Sequence, residues 1–181
     1  MILINFNNIK VLSSAESFLY KIKEKMDDDV IIFPHILDTK DFKNKFNYKT
    51  GVTITNGLDI STIKNLEIRF ALINTELSRC GFNQTFEIIK QCLDYNIRSF
   101  IYSYSPEEFL KLKSLDGEYS IIKLNELKDI LKYSIGINDK VVVDYNIRSY
   151  KDIDYLTKIG INNFIIKPYI KDFNLLKNYY D

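Results

Sequence analysis

Short runs of β-branched and aromatic residues alternate along this chain with longer stretches whose apolar positions recur every three or four residues. Residues 1–6, 30–33, 51–55, 70–73, 99–103, 119–123, 140–143 and 163–166 read as strands. Helical spacing fills the gaps. A helix capped at Ser13 or Ser14 runs to Lys25, with Phe18, Ile22 and Met26 one turn apart. Others are predicted over 39–46, 60–66, 83–95, 105–114, 126–133, 149–159 and 171–179. Phe86, Ile89 and Leu93 are placed on the apolar face of the helix over 83–95. Ser105-Pro106-Glu107-Glu108 is a helix start, with Ser at the cap, Pro in the first helical position and acids in the first turn. Ser149 caps the helix that Gly160 stops.

About eight β-α units with connections of a few residues imply a parallel sheet. That number closes naturally into a (β/α)8 barrel, a fold of about 200 residues at its smallest. The chain has 181 residues, so it is read as a minimal single-domain α/β TIM barrel over 1–181 with shortened loops. A flavodoxin-like open sheet is the alternative, and Lys167-Pro168 after the last strand fits it. That Lys-Pro resembles the one after the last strand of a receiver domain, but a receiver needs only five strands, and the acidic pair the resemblance implies after its first strand is replaced by asparagines in MILINFNN.

Charge and cysteine usage narrow the function. The chain carries 25 basic and 24 acidic residues, which leaves no footprint for nucleic acid or an anionic membrane. No apolar run approaches the ~18 residues of a membrane helix, and the start reads as a strand rather than a leader. Cys80 and Cys92 have no metal-ligand or disulfide spacing, in keeping with a reducing, cytoplasmic location; Cys92 is expected in the core. His35 is the single histidine, so no histidine-rich metal site can form, and the acids are too scattered for a carboxylate one. No cofactor is expected. The stretch 43–49, KNKFNYK, reads as a solvated loop.

The order of local patterns resembles triosephosphate isomerase, closest to its compact archaeal form. Ile4-Asn5-Phe6 resembles the Asn-x-Lys end of that family's first strand, and Asn56-Gly57 its Thr-Gly. Leu72-Ile73-Asn74 with Arg79 resembles LINHSERR, and YSIIKLNEL the strand that carries EPPEL. The segment 141–164, with Ile147-Arg148-Ser149 and Asp152, resembles the seventh unit.

The resemblance implies where the isomerase machinery would stand. The charge-stabilising lysine falls on Asn7, the electrophilic histidine on Thr75 and the proton-moving glutamate on Lys123. Neither Thr nor an ammonium can do the work of an imidazole or a carboxylate base. The space for a lid after strand six is missing. The phosphate-binding Gly-x-Gly becomes Asp144-Tyr145-Asn146, and Lys167-Pro168-Tyr169 follows strand eight. An acid there repels phosphate.

The expectation is a non-catalytic binding or structural barrel, a homo-oligomer as its relatives are, with a small-molecule ligand at the C-terminal rim. That rim collects Asn5, Asn7, His35, Asn74, Glu76, Tyr104, Lys123, Asp144 and Lys167. The alternative is aldolase-like Schiff-base chemistry on a small carbonyl compound at Lys123 or Lys167, with Asp144 relaying the proton; residual triosephosphate isomerisation stands third. Ion pairing of these lysines with Asp144 and Glu76 is the simpler expectation.

Overall fold

The computed structural model describes residues 1–6, 19–21, 23–26, 28–46, 48–54, 60–74, 82–113, 119–133, 140–168 and 173–181. Eight strands run parallel and in chain order around a closed barrel: β1 (Ile2–Asn5), β2 (Val30–Phe33), β3 (Thr50–Ile54), β4 (Phe70–Ile73), β5 (Arg98–Ser103), β6 (Tyr119–Lys123), β7 (Val141–Asp144) and β8 (Phe164–Ile166). Closure comes from β8 pairing with β1, where Leu3 meets Ile165 and Ile4 meets Ile166. Outside lie α1 (Ile36–Phe46), α2 (Ile60–Asn65), α3 (Phe82–Asp94), α4 (Pro106–Lys113), α5 (Tyr150–Lys158) and α6 (Phe173–Tyr180), with 3-10 helices at Lys23–Lys25 and Leu127–Tyr133. This is the TIM-barrel architecture.

The strands are short and nearly continuous in apolar residues because both of their faces are buried. Alternate side chains point to opposite sides. One set, Leu3, Ile32, Leu72, Phe100, Ile121, Val142 and Ile165, packs with no helical residue among the described ones and fills the barrel interior. The other set meets the helices; Ile4, Phe33 and Ile166 pack with Leu156 and Leu176, for example. On β3 the interior position level with Ile32 and Phe70 is Gly51. A Cβ there would lie 2.6 Å from Ile32 Cδ1 and 2.9 Å from both Cβ and the carbonyl of Phe70, so these two neighbours occupy the space. Phe70, Phe100 and Tyr119 form an aromatic tier near the N-terminal end, with successive centroids 6.1 and 5.0 Å apart.

Several elements form for reasons visible in their residues. Ser105 caps α4, since its Oγ accepts from Glu108 N–H at 3.1 Å, while the Glu108 carboxylate accepts from Tyr104 N–H at 2.8 Å. At the start of α5 the Asp152 carboxylate accepts from Arg148 and Ser149 N–H, each at 2.9 Å. Its end is a glycine stop: Gly160 has φ +86°, and Ile161 N–H reaches back to Leu156 at 2.9 Å. Asp29 ties the last helix to the barrel. One carboxylate oxygen accepts from Ile2 N–H at 2.6 Å and the other from the buried Tyr180 hydroxyl. Among the described residues no helix is long and apolar enough to cross a membrane.

Four expectations are corrected. The helix predicted from residue 39 starts at Ile36, because Thr39 sits inside it and its hydroxyl donates to the His35 carbonyl at 2.9 Å. The segment after β6 is 3-10 and not α-helical. Leu127, Ile130 and Tyr133 recur every three residues, so a three-residue turn puts all of them on the core side. On α3 the buried strip is Thr85, Ile88, Ile89 and Cys92, while Phe86 and Leu93 are 42% and 44% exposed. At ~100° per residue these two lie well round from the centre of that strip. The stretch 43–49 is mostly the end of α1. Lys43 donates to the carbonyls of Leu66 and Glu67, and Lys49 to Asp28 at 3.1 Å. Asn56-Gly57, Arg79, Cys80 and most of the predicted first helix lie outside the described residues.

Candidate functional site

Strand alternation decides which side chains reach the C-terminal mouth. Two positions beyond the interior residues Leu3, Leu72, Ile121, Val142 and Ile165 stand Asn5, Asn74, Lys123, Asp144 and Lys167. On β5 the same step leads from Phe100 to Tyr102 and Tyr104. The fold therefore gathers residues up to 162 positions apart at one end, and Lys123 is the register partner of Asp144 across β6 and β7.

Asp144 is the centre of the mouth. It is only 5% exposed and ends β7. Lys167 donates to its two oxygens at 2.8 and 2.6 Å, and the Tyr102 hydroxyl donates to one of them at 2.8 Å. Three of the four acceptor positions of the carboxylate are thus filled. Beside this network the ring of Tyr102 stacks on that of Tyr104 with centroids 5.9 Å apart, and the Tyr104 hydroxyl donates to Asn74 Oδ1 at 2.7 Å. Asn5 is 5% exposed, and its buried Oδ1 has no hydrogen-bond partner among the described residues.

The arrangement is a polar lining over an apolar plug. Lys167 has its donors directed at one carboxylate. Lys123 is exposed at the end of β6. From there only Leu124, Asn125 and Glu126 separate the strand from the 3-10 helix, and the Leu124 N–H is held by the Asp144 carbonyl at 2.9 Å. After β7, Tyr145 is half-buried against the core and Asn146 is exposed.

Of the other expected positions, Asn7, Thr75, Glu76 and Tyr169 lie outside the described residues. His35 is exposed beyond β2, and its carbonyl accepts from Thr39 at the start of α1. Among the described residues no cluster of His, Cys, Asp or Glu could hold a metal ion. Sequence reasoning missed Tyr102, the hydroxyl that completes the Asp144 network. The signal was available in RSFIYSYS, where Arg98, Phe100, Tyr102 and Tyr104 share one side of an extended strand. Compared with known proteins, the chain matches no family model and no curated sequence.

Proposed function

We propose that this chain is a degenerate relative of triosephosphate isomerase that acts as a binding or structural barrel and does not isomerise triose phosphates. The observation that carries the reading is the buried Asp144, held by Lys167 and Tyr102 at the end of β7. A phosphate approaching that strand end would meet a carboxylate rather than free backbone N–H groups. The three-residue connection after β6 supports the same reading, since it leaves no length for a closing lid. A small ligand at this mouth would meet the half-buried Tyr104 hydroxyl and Asn74 amide, which suit hydroxyl or amide groups better than phosphate. In a coupled assay on glyceraldehyde 3-phosphate, the expected rate is no greater than that of buffer. Saturable turnover that a Lys123 substitution abolishes would overturn the proposal.

A second reading rests on the contact of Lys167 with Asp144, an amine beside a group able to carry its proton, as Schiff-base chemistry requires. Borohydride reduction in the presence of small aldehydes, followed by peptide mass spectrometry, separates the two. The binding-barrel reading expects no adduct at Lys123 or Lys167.

A further inference from the structure

We propose that the opposite, N-terminal mouth of the barrel binds a small organic anion, a phosphate or carboxylate head attached to a flat ring. A depression of about 750 Å³ opens there, within the size range of small-molecule sites. Its lining includes three cations, Lys49, Arg69 and Arg98, against one carboxylate, Asp28. The chain as a whole is nearly balanced at +1, so this excess is local.

Lys49 holds Asp28 at 3.1 Å. The two arginines add positive charge beyond that pair, as does the Met1 amino group, which donates to Asn162 and Asn163, and among the described residues neither arginine stands within ion-pair distance of a carboxylate. They come from neighbouring strands: Arg98 is the register partner of Phe70 and its N–H donates to the Arg69 carbonyl at 2.8 Å, so both arginines stand on the same rim of the depression. A guanidinium fork matches the planar oxygens of a carboxylate or phosphate.

The ring preference comes from the floor. Phe70 and Tyr119 line the depression and are only half-buried. Both lean on the fully buried Phe100, with centroids 6.1 and 5.0 Å away, so the flat surface is already in place before a ligand arrives. An anionic head held at Arg98, on the side of the strand that carries Phe70, with Arg69 adding charge at the rim, leaves an attached ring beside these aromatics.

Titration of the full chain with phenyl phosphate and with benzoate, followed by amide NMR shifts, tests this. The expected result is saturable binding of at least one of them, with shifts centred on Phe70, Arg98 and Tyr119. Affinity should fall about tenfold or more in Arg69→Gln and in Arg98→Gln, weaken with added salt, and stay unchanged in Lys90→Gln on the exposed face of α3. The head that binds more tightly identifies the natural class. Phenol, which lacks the charge, should not saturate. Absence of saturation by both anions up to about 10 mM, or unchanged affinity in the Arg69→Gln/Arg98→Gln double variant, overturns the proposal. Both arginines are exposed, so the variants are expected to fold, and far-ultraviolet circular dichroism checks it. Because this mouth lies across the packed interior from Asp144, the outcome does not depend on the function proposed for the other end.

Discussion

At the scale of single residues, two positions carry sharp consequences. Gly51 has no room for a side chain, with backbone and Cβ atoms of Phe70 both 2.9 Å from where a Cβ would sit. Gly51→Ala is expected to cost about 1–3 kcal/mol through overpacking, read as a lower denaturation midpoint at unchanged m-value. Asp144 is the other. Lys167→Met leaves a buried carboxylate without its cation, and breaking such a pair costs about 3–5 kcal/mol when fully buried. Lys167 is 30% exposed, so a loss nearer about 2 kcal/mol is expected here. Replacing both partners, Lys167→Met with Asp144→Leu, should recover most of it, because the orphaned charge is then gone. A double variant as unstable as the single one would mean that the pair supplies net stability of its own.

At the scale of elements, the seam between α6 and the barrel runs through Asp29 and Tyr180. Burial, then the hydrogen bond to Asp29, pushes the Tyr180 phenol well above its ordinary value; burial pushes Tyr48, whose hydroxyl donates to the Leu19 carbonyl, up to about 12. Tyrosines in the unfolded chain ionise near pH 10. Below that pH both states keep the proton, and the stabilisation is fully present. Above it the unfolded state releases protons that the folded state retains, so stability falls as pH rises from about 10 towards 12. Tyr180→Phe removes one titrating group and one hydrogen bond to a carboxylate. It is expected to lower stability by about 1–2 kcal/mol at pH 7 and to flatten the alkaline decline in urea titrations run from pH 8 to 12.

The same scale shows what could be read in the residues and what could not. Both faces of each strand are buried, so runs such as VIIF and FALI stood out without tertiary knowledge. The Ser105 and Ser149 caps and the Gly160 stop were legible because capping is a local matter of one or two hydrogen bonds. Errors arose where two periods fit one stretch. Leu127, Ile130 and Tyr133 satisfy a three-residue turn, and Phe86 and Leu93 satisfy a helical face that the barrel does not cover. The Asp144 pair is among the pairings the residues suggest, yet its Tyr102 partner is not, since a tyrosine inside a strand serves equally well as an apolar packing residue. The cationic depression was out of reach, because it exists only once the strand starts at Lys49, Arg69 and Arg98 are drawn together.

At the scale of the whole molecule, the barrel is not uniformly stitched. β5 and β6 share four register pairs, from Phe100 with Tyr119 to Ser103 with Ile122, while β7 and β8 share one, Val143 with Phe164. Asn163 reinforces that seam, since its carbonyl accepts from Val143 N–H at 2.9 Å and its amide donates to Val141 at 3.2 Å. Opening is expected to begin there. Amides of Phe164–Ile166 should exchange with solvent faster than those of β5, as hydrogen-exchange mass spectrometry can resolve; equal protection would mean that the barrel opens as one unit.

The interior stack of Leu3, Ile32, Leu72, Phe100, Ile121, Val142 and Ile165 makes the barrel a bulkhead rather than a conduit. Whatever docks at one end cannot thread through to the other, and the groups at the two ends are kept out of contact by a slab of hydrocarbon roughly two to three strand residues thick, on the order of 10 Å. Occupancy of one end should therefore leave affinity at the other unaltered, so that the two ends of this small molecule can change their tasks separately.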